Sequence, residues 1–226
     1  MIARRLRAEL PLKLTLSLTL TLYFCIPYFT LQRVTFFQVR TLPLTDLDRA
    51  VGFAPSWIWT YQSVYLLMAL VPWFADRADA LRRYARGFIL LSSIGFVCFV
   101  LVPIPAPRPA DVPTTGMFGL LLMYDGTLNS FPSLHCGLAA YTVLLAADLS
   151  RERLRSHTRR WVLGLLTLWC LAICYATLAT KQHYAVDLPP GILLGWLCHR
   201  WAWRNAEMAE GIAPRLPWSA ARARRA

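Results

Sequence analysis

The chain has 226 residues, of which 57% are hydrophobic and 16% are charged, and its formal net charge is +12. Soluble domains are about 45–50% apolar and about 25% charged, so this composition excludes a disordered protein and argues against a soluble globular enzyme. The six cysteines are scattered through apolar stretches without metal-ligand spacing, which excludes a disulfide-stapled secreted module.

Six apolar stretches approach the roughly 17–25 residues that an α-helix needs to cross a bilayer. The fourth and the sixth are short, and each begins at a polar motif. The sequence therefore predicts an all-α polytopic membrane protein, with a six-helix domain over residues 1–203 and a basic cytoplasmic tail over residues 204–226. In chain order the predicted spans are Leu10–Leu31, Trp57–Phe74, Phe88–Ile104, Leu134–Leu149, Trp161–Thr180 and Leu188–Trp203.

Lysine and arginine are distributed unequally between the two sides of these spans. With six crossings, 19 of the 24 lie on the side of the termini. Because basic residues are enriched on the cytoplasmic side, both termini are predicted to be cytoplasmic. The positive charge then reflects topology and contact with anionic lipids, and no nucleic-acid partner is expected. The strong preference for arginine over lysine is typical of a GC-rich bacterial genome, so the predicted location is the inner (plasma) membrane with a periplasmic outer face.

Two histidines are predicted to meet on the outer face. His135 begins the fourth span, and His183 lies between the fifth and the sixth. Their separation fits one helix down, a turn and one helix back, which returns both side chains to the same surface. Asp187 follows His183 by four residues, within reach of its imidazole on a helical turn. A carboxylate there would fix the tautomer and leave the other ring nitrogen free as a nucleophile or base.

Further groups on the same face suit an anion. Ser133 and the free N–H groups at the start of the fourth helix form one anion site. Arg108, in a proline-rich outer segment, offers a guanidinium fork for phosphate oxygens. Lys181 adds a second cation. Together with the two histidines, these groups have the composition of a phosphoryl-transfer site: cations, a nucleophile and an acid for the leaving oxygen.

These stretches resemble the motifs of the type 2 phosphatidic acid phosphatase (PAP2) superfamily. Arg108-Pro109 is similar to the end of the family's first motif. Pro132-Ser133-Leu134-His135 resembles its second motif, Pro-Ser-Gly-His. His183, three residues and Asp187 match the end of its third motif.

The sequence also departs from the family pattern at four positions. Leu101 stands where the first motif has lysine, and Ala176 and Thr177 stand where the third motif opens with Ser-Arg. Leu134 replaces the glycine of the second motif. That replacement, together with Lys-Gln-His-Tyr at residues 181–184, looks more like the inositol phosphorylceramide synthase-like branch, which also lacks the Ser-Arg pair.

The resemblance implies a role for each matched residue. His183 would attack phosphorus and form a phosphohistidine, and Asp187 would hold its imidazole. His135 would protonate the departing oxygen and then activate the acceptor. No metal or other cofactor is required. The residues expected to bind the phosphate are Arg108, Ser133 and Lys181.

The leading interpretation is a membrane phosphatase or phosphotransferase that acts on a lipid phosphate ester at the outer leaflet of the bilayer. An inositol phosphorylceramide synthase-like head-group transferase, rather than a hydrolase, is the first alternative. A transporter is a remote alternative, because the interiors of the predicted spans lack ionisable residues. A structural membrane protein with a relic motif is a third class.

Overall fold

The structure is a computed structural model that describes residues 2–151 and 153–212, and the side chains of residues 5–151 and 153–204. Within these residues it is all-helical and contains no strand. Single 3₁₀ turns at Pro55–Trp57 and Ala185–Asp187 precede two of the helices. In chain order the helices are α1 (Ile2–Arg7), α2 (Leu10–Leu31), α3 (Asp46–Ala50), α4 (Ile58–Trp73), α5 (Ala78–Leu101), α6 (Gly116–Tyr124), α7 (Leu134–Arg151), α8 (Ser156–Ala179) and α9 (Leu188–Ile212).

The all-α prediction is confirmed for the described part of the chain, and each predicted span coincides with one long helix, although the ends differ. α5 begins at Ala78 instead of Phe88. Leu81 and Tyr84 are buried at helical spacing ahead of the predicted start, so the apolar face of α5 extends through them. α9 continues beyond Trp203 into the segment predicted as a tail. α6, a short apolar helix in the connection between α5 and α7, is not among the predicted elements.

Apolar side chains cover much of the outside of the bundle. In the part of the chain that the structure describes, three helices, α2, α5 and α8, are long and apolar enough to cross a membrane. Large apolar side chains that are 50–64% exposed recur every four residues along one face of α2. An apolar stripe of this length on a helix surface is typical of contact with lipid. These helices indicate a membrane protein. The exposed side chains on α2 are Leu14, Leu18, Leu22 and Ile26.

The centre of the bundle is α7, which packs most extensively against α9 and also contacts α4, α5 and α8. Glycines let the backbones of α7 and α9 touch. A Cβ atom on Gly137 would lie 2.7 Å from the carbonyl oxygen of Gly191, and one on Gly195 would overlap the carbonyl of Gly137. Small residues allow such close approach between membrane helices. The contact fixes the first turns of both helices relative to each other.

A fourth glycine makes room for the unusual residue of the second motif. Leu134 is only 1% exposed and packs over Gly95 of α5. A Cβ atom on Gly95 would lie 2.6 Å from a methyl carbon of Leu134. The leucine that replaces the motif glycine is therefore accommodated by a glycine on a neighbouring helix.

The α7–α9 contact can be tested with Gly195→Ala. The added methyl group meets backbone, which cannot move aside as a side chain can, so we expect a loss of about 1–3 kcal/mol in stability. Gly164→Ala is the matched control, because no atom lies within 4 Å of its Cβ position on α8. In the control, alanine should be neutral or stabilising by up to about 1 kcal/mol. Thermal unfolding in detergent measures both, and equal melting temperatures for Gly195→Ala and wild type would contradict the close approach.

Candidate active site

The candidate site lies at the end of the bundle where α7 and α9 begin and α8 ends. His135 is the second residue of α7, and His183 lies in the short loop after α8. The structure brings their imidazole rings together, with 5.8 Å between ring centroids. The two residues are only 5% and 4% exposed. At this separation both imidazoles can contact one small group that lies between them.

The backbone carbonyl of Ser130 fixes the tautomer of His183. The Nδ1 atom of His183 lies 2.8 Å from this oxygen. A carbonyl oxygen can only accept a hydrogen bond, so Nδ1 carries the proton and Nε2 carries the lone pair. The loop itself is held by the carbonyl of Thr177, which accepts from the backbone N–H groups of Gln182 and His183.

Asp187 does not bond to His183 directly, in contrast to the sequence expectation. Its Oδ2 atom is 3.6 Å from Nδ1 of His183, which is beyond hydrogen-bond distance. The four-residue spacing predicts contact only on a regular α-helix. Here Tyr184 has extended backbone angles, and Ala185–Asp187 forms a 3₁₀ turn, so the carboxylate is displaced from the ring.

The carboxylate of Asp187 instead organises the segment that holds His183. It is fully buried, and its Oδ2 atom accepts hydrogen bonds from the hydroxyl of Ser130 at 2.6 Å and from the N–H of Tyr184 at 2.8 Å. Its backbone carbonyl accepts from the N–H of Ser133 at 3.1 Å. Asp187 therefore acts on His183 through Ser130, a residue to which the sequence analysis gives no role.

Tyr61 of α4 sets the plane of the His135 ring. The two rings stack with 4.1 Å between centroids and 22° between planes, and the tyrosine hydroxyl lies 3.4 Å from Nδ1 of His135. Nε2 of His135 is buried and has no hydrogen-bond partner among the described residues. Tyr61 is not among the residues predicted from the sequence; the available signal is a phenol inside an apolar helix, which usually has a polar partner when buried.

Ser133 serves as the N-cap of α7. Its Oγ atom accepts a hydrogen bond of 3.3 Å from the N–H of Cys136, and the residue is fully buried. An N-cap serine stabilises the first turn of a helix and leaves other N–H groups of that turn pointing outward. Ser133 thus lies beside His135 at a helix N-terminus, the position expected for an anion-binding residue.

Arg108 lies beside the histidine loop but is held by other protein groups. Its Nε atom donates to the side-chain oxygen of Gln182 at 2.9 Å, and Nη2 donates to the carboxylate of Asp125 at 3.0 Å. Gln32 donates to the same carboxylate at 2.9 Å. Gln182 directly precedes His183, so this cluster connects the guanidinium to the site. Asp125 and Gln182 are not predicted from the sequence as partners of Arg108.

Burial raises the pKa of Asp125 above its ordinary value, although the neighbouring Arg108 guanidinium and the Gln32 amide act in the opposite direction. Asp125 is only 5% exposed, so little water stabilises the charge of its carboxylate. Its ionised form and a bound phosphate would compete for the same guanidinium.

Lys181 is directed towards the outer connection rather than towards the imidazoles. Its ammonium donates to the carbonyl of Asp48 at 2.7 Å and to the carbonyl of Val51 at 2.5 Å. Burial acts to raise the pKa of Asp48, but hydrogen bonds from Thr45 and Ala185 and the charge of Lys181 outweigh it and leave this pKa below its ordinary value. Lys181 therefore ties the loop after α8 to α3.

The arrangement is suited to nucleophilic and acid–base chemistry on an anion. It supplies a nucleophilic nitrogen on His183, a second imidazole, a guanidinium and a helix N-terminus. Within the described residues, no group of three or more His, Cys, Asp or Glu side chains is placed to hold a metal ion.

Comparison with known protein families identifies the chain. The family model described as the PAP2 superfamily matches residues 28–201, and the chain belongs to this superfamily. The match contains all six residues assigned to the site. Membership indicates phosphatase-type activity. No curated protein and no solved structure matches the chain.

Two substitutions at Tyr61 separate its hydrogen bond from its stacking. Tyr61→Phe removes only a long hydrogen bond, so we expect kcat to fall by less than about tenfold, since such bonds contribute about 0.5–1.5 kcal/mol. Tyr61→Leu also removes the stacked ring and should lower kcat further with little change in KM. Steady-state kinetics across pH checks this, with melting temperature as the folding control. Full activity of Tyr61→Leu would show that His135 needs no such support.

The competition at Arg108 predicts a pH effect on anion binding. As pH falls through the raised pKa of Asp125, the carboxyl group is protonated and the guanidinium loses its charged partner, so phosphate should bind more tightly. Asp125→Asn should mimic the protonated state and bind inorganic phosphate roughly tenfold more tightly near neutral pH, where one charged hydrogen bond is at stake. The measurement is the ratio of inhibition constants, wild type over Asp125→Asn, which cancels the titration of phosphate itself. A ratio that does not move with pH would contradict the competition.

Proposed function

We propose that this protein is a membrane lipid-phosphate phosphatase or phosphotransferase that works through a phosphohistidine on His183. The observation that carries the proposal is the geometry of the two imidazoles. They lie 5.8 Å apart, and the proton of His183 is held on Nδ1 by the Ser130 carbonyl, so that Nε2 is the nucleophilic nitrogen. The substrate class is a lipid phosphate ester, because the apolar helices place this pair in a membrane protein.

In the first step, Nε2 of His183 attacks phosphorus while the bond from phosphorus to the lipid oxygen breaks. His135, protonated on Nε2, gives its proton to that oxygen, which leaves as an alcohol. Nδ1 of His183 keeps its proton and its hydrogen bond to Ser130 throughout. The nearby carboxylate of Asp187, 3.6 Å away, favours the positive charge that develops on the ring.

In the second step, neutral His135 takes a proton from the acceptor hydroxyl. The acceptor oxygen attacks phosphorus, and the bond between phosphorus and Nε2 of His183 breaks. Water as the acceptor gives inorganic phosphate, and an alcohol gives a new ester. One imidazole thus serves as acid and then as base, as microscopic reversibility requires.

We propose that Arg108 and Ser133 bind the phosphate oxygens. Arg108 donates a hydrogen bond to Gln182, the residue that precedes His183, and Ser133 caps the first turn of α7. In the sequence analysis Lys181 is a third ligand. Its two carbonyl contacts favour a different role, in which it holds the outer connection against the loop that carries His183.

We propose further that all six long helices cross the membrane, with both termini in the cytoplasm and the site on the periplasmic or extracytoplasmic face of the inner (plasma) membrane. The distribution of lysine and arginine supports this orientation. α4 has 16 residues, or about 24 Å of helix, and the 3₁₀ turn before it adds to its reach. The charged tail would then contact anionic lipids.

A head-group transferase related to inositol phosphorylceramide synthase is the second candidate. The motif with Leu134 and the Lys-Gln-His-Tyr run favours it. The two candidates differ in the acceptor. Phosphate release from a lipid phosphate in detergent with water alone supports the hydrolase, and turnover that requires a second lipid or an inositol-bearing partner supports the transferase.

The covalent step can be tested by trapping with p-nitrophenyl phosphate, whose good leaving group needs little acid assistance. His135→Ala should then form the phosphoenzyme but hydrolyse it slowly, and so accumulate acid-labile, alkali-stable phosphate on His183. His183→Ala should take up none. His199→Ala is the matched control, because His199 pairs with Asp148 at the other end of α7 and α9. Mass spectrometry that found the phosphate on any residue other than His183 would overturn the mechanism.

A further inference from the structure

A groove separates α2 from α4. α2 packs along α5 and meets α4 at few points, so the two helices leave a cleft with α5 as its floor. The cavity in this cleft has a volume of about 250 Å³ and is lined mainly by apolar side chains. Among them are Leu16, Leu20, Phe24, Met68 and Phe88.

One end of the groove reaches the candidate active site. Tyr65 lines the groove, and its ring lies edge-on to the ring of His135 with 6.0 Å between centroids. A single aromatic ring therefore separates the groove from the imidazole that we assign as acid and base.

The other end of the groove is closed by Lys13. This residue is 2% exposed, and its ammonium donates to the carbonyl of Arg5 at 2.6 Å and to the carbonyl of Trp73 at 2.8 Å. These contacts tie the N-terminal segment to the end of α4. Between Tyr65 and Trp73 the groove follows about 12 Å of helix.

The chemistry of the lining defines what fits. Among the described residues that line the groove, Lys13 is the one that carries a charge, and two backbone carbonyls already accept from its ammonium. The Ser17 hydroxyl accepts from the indole of Trp73 at 3.3 Å, which occupies another polar group. Most of the remaining lining surface is hydrocarbon, and such a surface binds apolar chains.

We propose that this groove binds a hydrocarbon chain of the lipid whose phosphate lies between the two histidines; the inference rests on the proposed function. The chain enters sideways between α2 and α4 and follows α4 from Tyr65 towards Trp73. Binding of the chain positions the phosphate at His135 and His183, so the groove raises kcat/KM for long-chain esters over short ones.

Ala69→Trp tests the proposal, because the indole would fill the groove from the α4 side. Ala69 lines the groove, whereas its neighbour Leu70 is 42% exposed and does not, so Leu70→Trp is the matched control. The readout is the ratio of kcat/KM for a sixteen-carbon lipid phosphate to kcat/KM for p-nitrophenyl phosphate in the same detergent. We expect Ala69→Trp to lower this ratio at least tenfold and Leu70→Trp to leave it within twofold of wild type.

A second pair of variants tests the facing wall. Thr21 of α2 lines the groove and Thr19 does not, so Thr21→Trp should lower the ratio and Thr19→Trp should not. This pair decides the question if Ala69→Trp does not fold. An unchanged ratio in an active, folded groove variant would overturn the groove assignment and leave the proposed function standing. If the wild type cleaves neither the lipid phosphate nor p-nitrophenyl phosphate, the proposed function is overturned and the groove assignment with it.

Discussion

The site depends on one contact, the approach of the α7 backbone to the α9 backbone at Gly137, Gly191 and Gly195. Because no side chain separates the helices there, their first turns lie side by side. α7 carries His135 in its first turn, and the 3₁₀ turn that leads into α9 carries Asp187. Main-chain packing therefore sets the position of His135 relative to Asp187, and the hydrogen bond to the Ser130 carbonyl holds the His183 ring beside them.

Two polar groups act on His183 in different ways, one a backbone carbonyl and the other a carboxylate. The Ser130 carbonyl fixes the tautomer by a hydrogen bond, and Asp187 supplies negative charge from 3.6 Å without receiving the proton. If Asp187 accepted the hydrogen bond from Nδ1 of His183 itself, one contact would both fix the tautomer and supply the negative charge. Here the same carboxylate also binds the Ser130 hydroxyl, so one buried charge supports both functions. The Oδ2 atom of Asp187 is satisfied by this network, whereas its buried Oδ1 atom has no hydrogen-bond partner among the described residues.

The sequence predicts the features that follow from helical periodicity and from the distribution of charge. It does not predict contacts that depend on the backbone conformation of the loops. Counting residues per helix places His135 and His183 on one face. The displacement of Asp187 follows from the extended conformation of Tyr184, which no spacing rule reveals. Tyr61 meets His135 from 74 residues away and Arg108 meets Gln182 from the same separation, so only the packed helices show these partners. The groove arises because α2 and α4 diverge, a property of the assembled bundle.

The packing of Leu134 over Gly95 makes one position of α5 part of what the second motif requires. With any larger residue at position 95, the leucine would meet a Cβ atom within 2.6 Å. A larger residue at position 95 would therefore force the buried Leu134 side chain to shift at the start of α7, next to His135. The same contact restricts grafting, because a protein that receives this motif with leucine at the position of Leu134 also needs a small residue at the α5 position of Gly95.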